Sequence, residues 1–286
     1  MEDKRRYILT LSCPDRIGIV AAVSSFVAGN GGWIVEAHHH ADGEAGRFFM
    51  RQEILAESLP FDLPTFREKF APIGAEFGMV WQITDSAVPK RMVLLVSKLG
   101  HCLYDLLARW RSGDLVMEIP GVISNHEDFR ELVTWHGIPF VHVPVDPDHK
   151  GAVFSEIAAR FDQWQADGMV LARYMQILPP WLCDRLPGQI LNIHHSFLPS
   201  FVGAKPYHQA YARGVKLIGA TCHFVTAELD AGPIIEQDVI RIDHSDAVSD
   251  LVRYGKDIEK TVLARGLRYF LEDRVLRHGN KTVVFR

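Results

Sequence analysis

Short apolar segments alternate with amphipathic segments through the middle of the chain, and this alternation constrains the fold more than any other feature of the sequence. The apolar segments have the composition of buried strands and span residues 92–97, 115–124, 140–143, 169–172 and 189–193. The amphipathic segments have helical spacing and span residues 102–111, 127–136, 154–165 and 180–185. Strands and helices in this order predict a doubly wound α/β fold with a mostly parallel sheet. Because ligands bind beyond the carboxyl ends of such strands, residues just after the strands are the first candidates for a functional site.

After residue 193 the strict alternation ends. The remaining predicted elements are strands at 217–225 and 234–240, a long amphipathic helix from about 245 to about 271, and a terminal hairpin at 274–285. A turn or loop between the two strands is therefore a second place where functional residues are expected.

The first part of the chain predicts a separate and smaller fold. Its predicted elements, in the order β-α-β-β-α-β, span residues 7–12, 19–28, 33–38, 48–56, 64–75 and 78–84. This order is that of a ferredoxin-like fold, an antiparallel four-stranded sheet backed by two helices. Residues 86–90 are short and end in Pro-Lys, which is typical of a linker. We therefore predict two domains, at residues 1–86 and 91–286.

The composition argues against several classes of function. The net charge is −4, so the chain has no basic surplus with which to hold a nucleic acid. No apolar run approaches the ~18–20 residues that a membrane span needs. The four cysteines are scattered without CxxC spacing, as in reduced cytoplasmic proteins. We predict a cytoplasmic protein without a nucleic-acid or membrane partner.

Polar residues occupy both places where functional residues are expected. Alternation along the end of the strand at 189–193 puts Asn192 and His194 on the same face. An amide and an imidazole there can both meet an oxygen that becomes negative when a carbonyl is attacked. Asp230 lies in the predicted turn between the last two strands, where a carboxylate can orient a water molecule or hold an imidazolium. Taken singly, a structural role is the more common one for residues in these positions.

Together, these stretches resemble the signature of the folate-dependent formyltransferases, which include glycinamide ribonucleotide formyltransferase and methionyl-tRNA formyltransferase. The motif residues lie at 192–199, 223–225 and 229–235, within a resemblance that extends from about 92 to 272. The resemblance implies that Asn192, His194 and Asp230 are the catalytic residues.

The same resemblance implies a folate-binding cavity. Residues 171–178 are similar to the loop whose backbone frames the pterin in that family. The folate-binding residues implied are Tyr174, Met175, Gln176, Ile177, Leu178, His223 and Leu229. The substrate is then 10-formyltetrahydrofolate, and no separate cofactor is expected. From the residues alone, His223 is as consistent with core packing as with a position beside the site.

The chain departs from the amine-formylating members of the family in two places. Residues 97–102 contain one glycine followed by bulky side chains, which is a poor backbone cradle for a substrate phosphate. His195 stands where the family usually has proline. With the smaller domain in front, the architecture resembles that of the deformylating members, which implies that water is the acceptor and that formate is supplied to purine and one-carbon metabolism.

Two other functions remain open at this point. One is a transferase that hands the formyl group to a small amine, since a poor phosphate cradle does not argue against a neutral acceptor. The other is a non-catalytic amino-acid sensor, against which the intact set of catalytic residues argues.

Residues 13–20 resemble the opening loop of ACT domains, small regulatory modules that often bind amino acids. The resemblance implies an effector loop formed by Asp15, Arg16 and Gly18, and pairing of the small domains into a homo-oligomer. Gly18 would allow the backbone to approach a ligand, and the helix that follows suits a carboxylate. The alternative is that Asp15 caps this helix and that Gly18 only permits the turn.

Three consecutive histidines, at 38–40, do not predict a metal site. Adjacent residues on a strand point to alternate faces, so the three side chains cannot readily share one small ion. No cysteine or carboxylate set has zinc spacing either, and we predict no metal.

Overall fold

The computed structural model describes residues 4–145, 150–199 and 206–286, which form two compact units. The first unit comprises the described residues up to Pro89, together with Glu272–His278 and Val283–Arg286. The second unit comprises the described residues of Lys90–Leu271, together with Gly279–Thr282. Within the described residues, no helix is long and apolar enough to cross a membrane.

The first unit is a ferredoxin-like fold, as predicted. Its elements are β1 (Arg6–Pro14), α1 (Ile19–Gly29), β2 (Ile34–Asp42), β3 (Arg47–Leu55), α2 (Leu63–Glu76) and β4 (Val80–Asp85). The strands are arranged in the order β2-β3-β1-β4, and all neighbours are antiparallel. Asp62 starts α2 by accepting a hydrogen bond from the Thr65 amide at 3.0 Å.

The core of the first unit lies between the sheet and its two helices. Leu9 of β1, Val23 of α1 and Phe66 and Phe70 of α2 are fully buried there. The apolar residues of α1 and α2 recur at helical spacing, so each helix turns one apolar stripe to the sheet. Burial of this stripe stabilises helices of this length, which are marginal in isolation.

The second unit contains a seven-stranded sheet. Its elements are β5 (Met92–Val96), α3 (His101–Ser112), β6 (Val122–Ser124), α4 (Arg130–Trp135), β7 (Phe140–His142), α5 (Lys150–Gln163), β8 (Gly168–Leu171), α6 (Pro180–Arg185), β9 (Ile190–His194), α7 (Pro206–Arg213), β10 (Leu217–Phe224), β11 (Ile234–Arg241) and α8 (Val248–Leu271). The strand order is β11-β10-β9-β8-β5-β6-β7. The five strands from β9 to β7 are parallel, whereas β10 and β11 are antiparallel to their neighbours. The fold is the predicted mostly parallel α/β fold.

Helices cover both faces of this sheet. Val93 and Leu95 of β5 pack with Ile157 of α5 and Leu182 of α6 in one buried cluster. The long helix α8 packs against β9, β10, β11 and α3. The chain leaves β5 toward β6 on one side and returns to β8 on the other, so a crevice forms at the carboxyl ends of β5 and β8.

The predicted strand at 115–124 is shorter in the structure. Only Val122–Ser124 forms a strand, although Glu118 makes an isolated parallel bridge with Arg91. Pro120 has no amide hydrogen with which to continue the ladder. The sequence analysis also missed α7, because among its residues with described burial only Tyr207 and Ala210 are buried, which is too few for a periodic signal.

The terminal hairpin is present as β12 (Val275–His278) and β13 (Lys281–Val284). The sequence analysis put the whole segment in the second domain, but Leu276 and Phe285 pack against Phe49 of β3 in the first unit. Arg51, also on β3, is 1% exposed and pairs with Glu53 at 2.7 Å. Burial of apolar and charged groups from distant parts of the sequence explains this placement, which no local pattern reveals.

Candidate functional site

The end of β9 carries two of the predicted site residues. Asn192 lies opposite His223 in the antiparallel pairing of β9 with β10, and His194 lies two residues further along the same strand. The amide Nδ2 of Asn192 donates to Nε2 of His223 at 3.1 Å. Nδ1 of His223 donates to the Phe224 carbonyl at 2.9 Å, which places the ring proton on Nδ1 and leaves Nε2 as an acceptor.

His223 is a neutral group in this arrangement. Burial lowers its pKa, against smaller opposing effects of the Phe224 carbonyl and of Asp230. A neutral ring with a fixed tautomer holds the amide of Asn192 in one orientation. The predicted folate-binding residue His223 therefore borders the cavity mainly as a support for Asn192, and its side chain is only 2% exposed.

Asp230 lies in the loop between β10 and β11 and has a positive φ of 55°. Its Oδ2 is 3.3 Å from Nδ1 of His194, and its Oδ1 is 3.9 Å from Nε2 of His223. Gly232 allows this turn, because a Cβ there would overlap the carbonyl oxygen of Phe224. The structure thus brings together Asn192, His194 and Asp230 from two parts of the chain that are far apart in the sequence.

The charges of the site follow from this contact. The hydrogen bond with His194 holds the pKa of the Asp230 carboxyl below its usual value, although partial burial opposes this. Asp230 is therefore a carboxylate at neutral pH. His194 directs Nδ1 to this carboxylate, while its Nε2 is buried and has no hydrogen-bond partner among the described residues. A ring nitrogen in this state can bind a substrate oxygen or transfer a proton to a leaving group.

A cavity of about 560 Å³ opens beside these residues. Its volume lies in the range of sites that hold a small organic ligand, about 300–1,000 Å³. All the predicted folate-binding residues line it: Tyr174, Met175, Gln176, Ile177, Leu178, His223 and Leu229. The loop after β8 supplies the first five, as expected for the crevice of a doubly wound sheet.

The mouth of the cavity is apolar although it faces solvent. Met175, Ile177 and Leu229 expose more than half of their surface, with Ile177 at 69%. A cluster of exposed apolar side chains around a cavity is typical of a ligand-binding site. Deeper in the cavity, burial raises the pKa of Tyr174 to about 12, so its hydroxyl is a neutral hydrogen-bond donor. That hydroxyl has no hydrogen-bond partner among the residues the structure describes.

A second polar cluster lines the same cavity, and we call it the Glu259 network. It consists of Glu259 on α8, His101 at the start of α3, Arg173 after β8 and Tyr207 on α7. Glu259 Oε1 accepts from the Tyr207 hydroxyl at 2.5 Å, and Oε2 accepts from Nε2 of His101 at 2.7 Å. Nε of Arg173 lies 3.4 Å from Oε2. The glutamate is therefore paired on both oxygens.

The Glu259 network carries a buried negative charge that is compensated. Burial alone would raise the pKa of Glu259, but the hydrogen bond from His101 and the charge of Arg173 bring it below the usual value. His195, which adjoins the network, has its pKa lowered to about 4, first by burial and then by Arg173. The sequence analysis noted His195 as a departure from the family but gave no role to Glu259 or Tyr207. A carboxylate at position 259 inside the apolar stripe of α8 was the available signal.

The described residues contain one group with metal-ligating geometry, formed by His101, Cys102 and Glu259. It fits a metal ion poorly. Burial raises the pKa of Cys102 well above its usual value, so the thiol stays protonated, and metal ligation requires the thiolate. Glu259 is already paired with Tyr207, His101 and Arg173.

The predicted effector loop lies in the first unit. Gly18 precedes α1 with a φ of 99°, and α1 has no side-chain cap, so Asp15 does not cap it. The amide of Asp15 donates to the Gly46 carbonyl at 2.9 Å. The guanidinium of Arg16 lies 4.0 Å from the centre of the Phe77 ring and donates to the carbonyl of Glu76. The loop is exposed, and its arginine is packed against the end of α2.

Comparisons with known proteins relate both the cavity-bearing unit and the whole chain to known families. The Formyl transferase family model matches residues 90–267. A protein of Corynebacterium sp. named formyltetrahydrofolate deformylase is 47% identical over 286 residues, 100% of either chain. A crystal structure of a formyltetrahydrofolate deformylase from Pseudomonas syringae has a TM-score of 0.99 and 62% identity, over 100% of this chain and 96% of that one. Glycinamide ribonucleotide transformylase 1 from Symbiobacterium toebii has a TM-score of 0.65 and 32% identity, over 69% of this chain and 95% of that one.

Proposed function

Because the chain belongs to the formyltetrahydrofolate deformylases of the formyl transferase family, we propose that it hydrolyses 10-formyltetrahydrofolate to tetrahydrofolate and formate. The observation that carries the proposal is the position of His194. Its Nδ1 faces the Asp230 carboxylate at 3.3 Å, while its Nε2 is a buried nitrogen without a partner among the described residues, at the wall of the cavity. The amide of Asn192 lines the same cavity.

The cavity suits the flat heterocycle and aryl amine of a folate. Met175, Ile177 and Leu229 present apolar surface at its mouth, and contact with the rings removes that surface from water. The hydroxyl of Tyr174 can donate to a polar atom of the heterocycle. Backbone groups of residues 174–178 are the further hydrogen-bonding groups of this wall.

In the reaction, a water oxygen attacks the formyl carbon and forms a tetrahedral oxyanion. Asn192 and His194 act on this charge, the first by donating an amide hydrogen and the second through Nε2. Removal of one oxyanion donor typically costs about 2.7–4 kcal/mol of transition-state stabilisation. Asp230 orients the attacking water and holds the ring of His194 through Nδ1.

The proton balance assigns the remaining roles. The attacking water loses a proton as its oxygen bonds to the formyl carbon, and Asp230 is the carboxylate beside His194 in the cavity wall that takes up this proton transiently. The intermediate collapses by breaking the bond between the carbon and N10, and N10 takes up a proton from His194. The products are tetrahydrofolate, formate and one proton: of the proton held by Asp230 and the proton that formic acid loses, one returns His194 to its starting state and the other is released to water.

The test is incubation of the purified protein with 10-formyltetrahydrofolate in a buffer without amines. We expect formate and tetrahydrofolate in equal amounts, a loss of about 10²–10³ in kcat for Asn192→Ala, and a similar or larger loss for Asp230→Asn. Asp243→Asn, in an exposed turn outside the cavity, is the matched control. Turnover that requires an added amine would identify a formyltransferase instead, and wild-type activity in Asp230→Asn would remove this residue from the mechanism.

We also propose that the first unit, which contains the predicted small domain, is an ACT-like regulatory domain of a cytoplasmic homo-oligomer, and that the second unit is the catalytic part. The proposal is supported by the ferredoxin-like fold and by the uncapped start of α1 beside Asp15, Arg16 and Gly18. An amino-acid effector would place its carboxylate at these amides. Formate release measured against glycine and methionine, in wild type and Gly18→Val, tests this. An equal response of both proteins would exclude the loop, and sedimentation velocity tests the oligomer.

A further inference from the structure

The wall of the cavity next to His194 is formed by neighbouring side chains of the Glu259 network and by His195. The ring of His195 lies 5.1 Å from the ring of His194 and 6.3 Å from the ring of Tyr207, centre to centre. Tyr207 in turn donates to Glu259. The ring of His195 therefore lies between the Glu259 network and the proposed catalytic histidine, His194.

This inference rests on the proposed hydrolysis and concerns its acceptor. We propose that the Glu259 network determines acceptor specificity. It does so by closing the side of the cavity through which an amine would approach the formyl carbon, and Tyr207 is the member of the network that lies next to His195. Water then remains as the acceptor, and the enzyme is a hydrolase because its acceptor pocket is filled by its own side chains.

Two physical requirements separate an amine acceptor from water. An amine with even a small substituent needs free volume beside the formyl carbon, whereas a water molecule needs only about 30 Å³. The amine also needs hydrogen-bond partners for the polar groups that it loses from bulk water. Both oxygens of Glu259 are already paired with Tyr207 and His101, and Glu259 and Tyr207 are 1% and 8% exposed. Glu259 therefore offers an amine no free acceptor, and the buried phenol ring of Tyr207 takes up space along this wall of the cavity.

The position of Tyr207 depends on a close approach to α8. A Cβ at Gly255 would overlap the phenol ring and its hydroxyl oxygen. The ring is thus seated directly against the helix backbone, four residues before Glu259. The chain consequently offers two independent ways to open the network: removal of the phenol ring, and displacement of the ring by a methyl group at position 255.

The experiment measures how the formyl group is partitioned between water and an amine. Protein is incubated with 10-formyltetrahydrofolate and increasing glycinamide at pH 8, where α-amino groups with a pKa of about 8 are partly neutral. In formyl transfer the amine nitrogen bonds to the formyl carbon, the bond to N10 breaks, and the amine proton passes to N10 through the site. Formate and N-formylglycinamide are quantified together, with a reaction without enzyme subtracted.

The variants are Tyr207→Ala and Gly255→Ala, with Tyr211→Ala as the matched control. Tyr211 is an exposed tyrosine on the same helix, and it does not line the cavity. We expect formate with no more than a trace of N-formylglycinamide from wild type and Tyr211→Ala. In the two variants, the ratio of N-formylglycinamide to formate should rise at least about tenfold, the change that ~1.4 kcal/mol of differential binding produces.

Several results would overturn the inference. Saturable formylation of glycinamide by wild type would show that the acceptor side is open. An unchanged ratio in the variants, with formate still released, would show that the network does not exclude amines. Loss of both products from a variant with a wild-type circular dichroism spectrum would make the network part of the chemistry. If Tyr207→Ala does not fold, Gly255→Ala and the wild-type measurement decide. A separate result would refute the proposed hydrolysis itself: wild type that releases no formate when no amine is present. This measurement needs no variant, so the two failures can be distinguished.

Discussion

The contact between His223 and Asn192 predicts a measurable contribution to catalysis by a residue that does not touch the reacting atoms. Replacement of His223 by Phe keeps an aromatic ring in the strand but removes the acceptor, Nε2, that lies 3.1 Å from the Asn192 amide. A buried donor left without its partner costs about 1–3 kcal/mol. The whole contribution of an oxyanion donor is about 2.7–4 kcal/mol, which sets the upper limit. We therefore expect kcat for formate release to fall about 10- to 100-fold, or ~1.4–2.7 kcal/mol.

The assay is steady-state formate release from 10-formyltetrahydrofolate, and the split between kcat and KM is its first readout. KM should change little, because His223 is almost fully buried and its partners are Asn192 and the Phe224 carbonyl. His223→Gln keeps a side-chain acceptor and should recover part of the lost kcat. His244→Phe, at an exposed histidine, is the control and should match wild type.

A double-mutant cycle and the pH profile test whether His223 acts only by positioning Asn192. If His223 acts only through Asn192, the double variant Asn192→Ala/His223→Phe should be no slower than Asn192→Ala within about twofold, since the two effects are not additive. Additive losses would refute the positioning role. Burial lowers the pKa of His223, so the ring is already neutral at the pH where a histidine in water titrates. The pH profile between pH 6 and 9 should therefore keep its shape in His223→Phe. Loss of a limb of that profile would mean that His223 transfers protons itself.

Three further outcomes follow from the geometry. Gly232→Ala should lower kcat at least about tenfold, because its Cβ would overlap the Phe224 carbonyl oxygen and displace the loop that carries Asp230; a wild-type rate in a folded variant would contradict this. Ile177→Ala should raise KM about three- to tenfold with kcat unchanged, from the loss of ~1 kcal/mol of apolar contact at the cavity mouth; a fall in kcat alone would count against a binding role. Glu259→Gln should destabilise the protein to urea at pH 7. The pKa of Glu259 is lowered in the fold, so the stability from its charge is present above the unfolded pKa of about 4.3 and is lost as pH falls through the folded pKa. The difference in urea midpoint between variant and wild type should therefore shrink below about pH 4, and a difference independent of pH would contradict the charge argument.

The sequence by itself determined the elements of the fold and the chemistry-bearing residues within them. Alternating buried strands and amphipathic helices leave few ways to bury apolar surface other than a doubly wound sheet, so this part of the fold followed from local patterns. Alternation along β9 was enough to place Asn192 and His194 on one face, and their strand end at the ligand-binding edge.

Only the tertiary structure decided which groups meet and in what state of charge. The pairing of β9 with β10 puts His223 opposite Asn192, and the sequence left that histidine open between core packing and the site. Burial and a carbonyl partner fix its neutral tautomer, and no local pattern encodes either. The Glu259 network joins side chains from three helices and the loop after β8, with sequence separations of up to 158 residues, as between His101 and Glu259. Local sequence determines periodicity and turn chemistry. The pKa values and hydrogen-bond partners depend instead on desolvation and on distances between side chains, and both arise only when distant segments pack together.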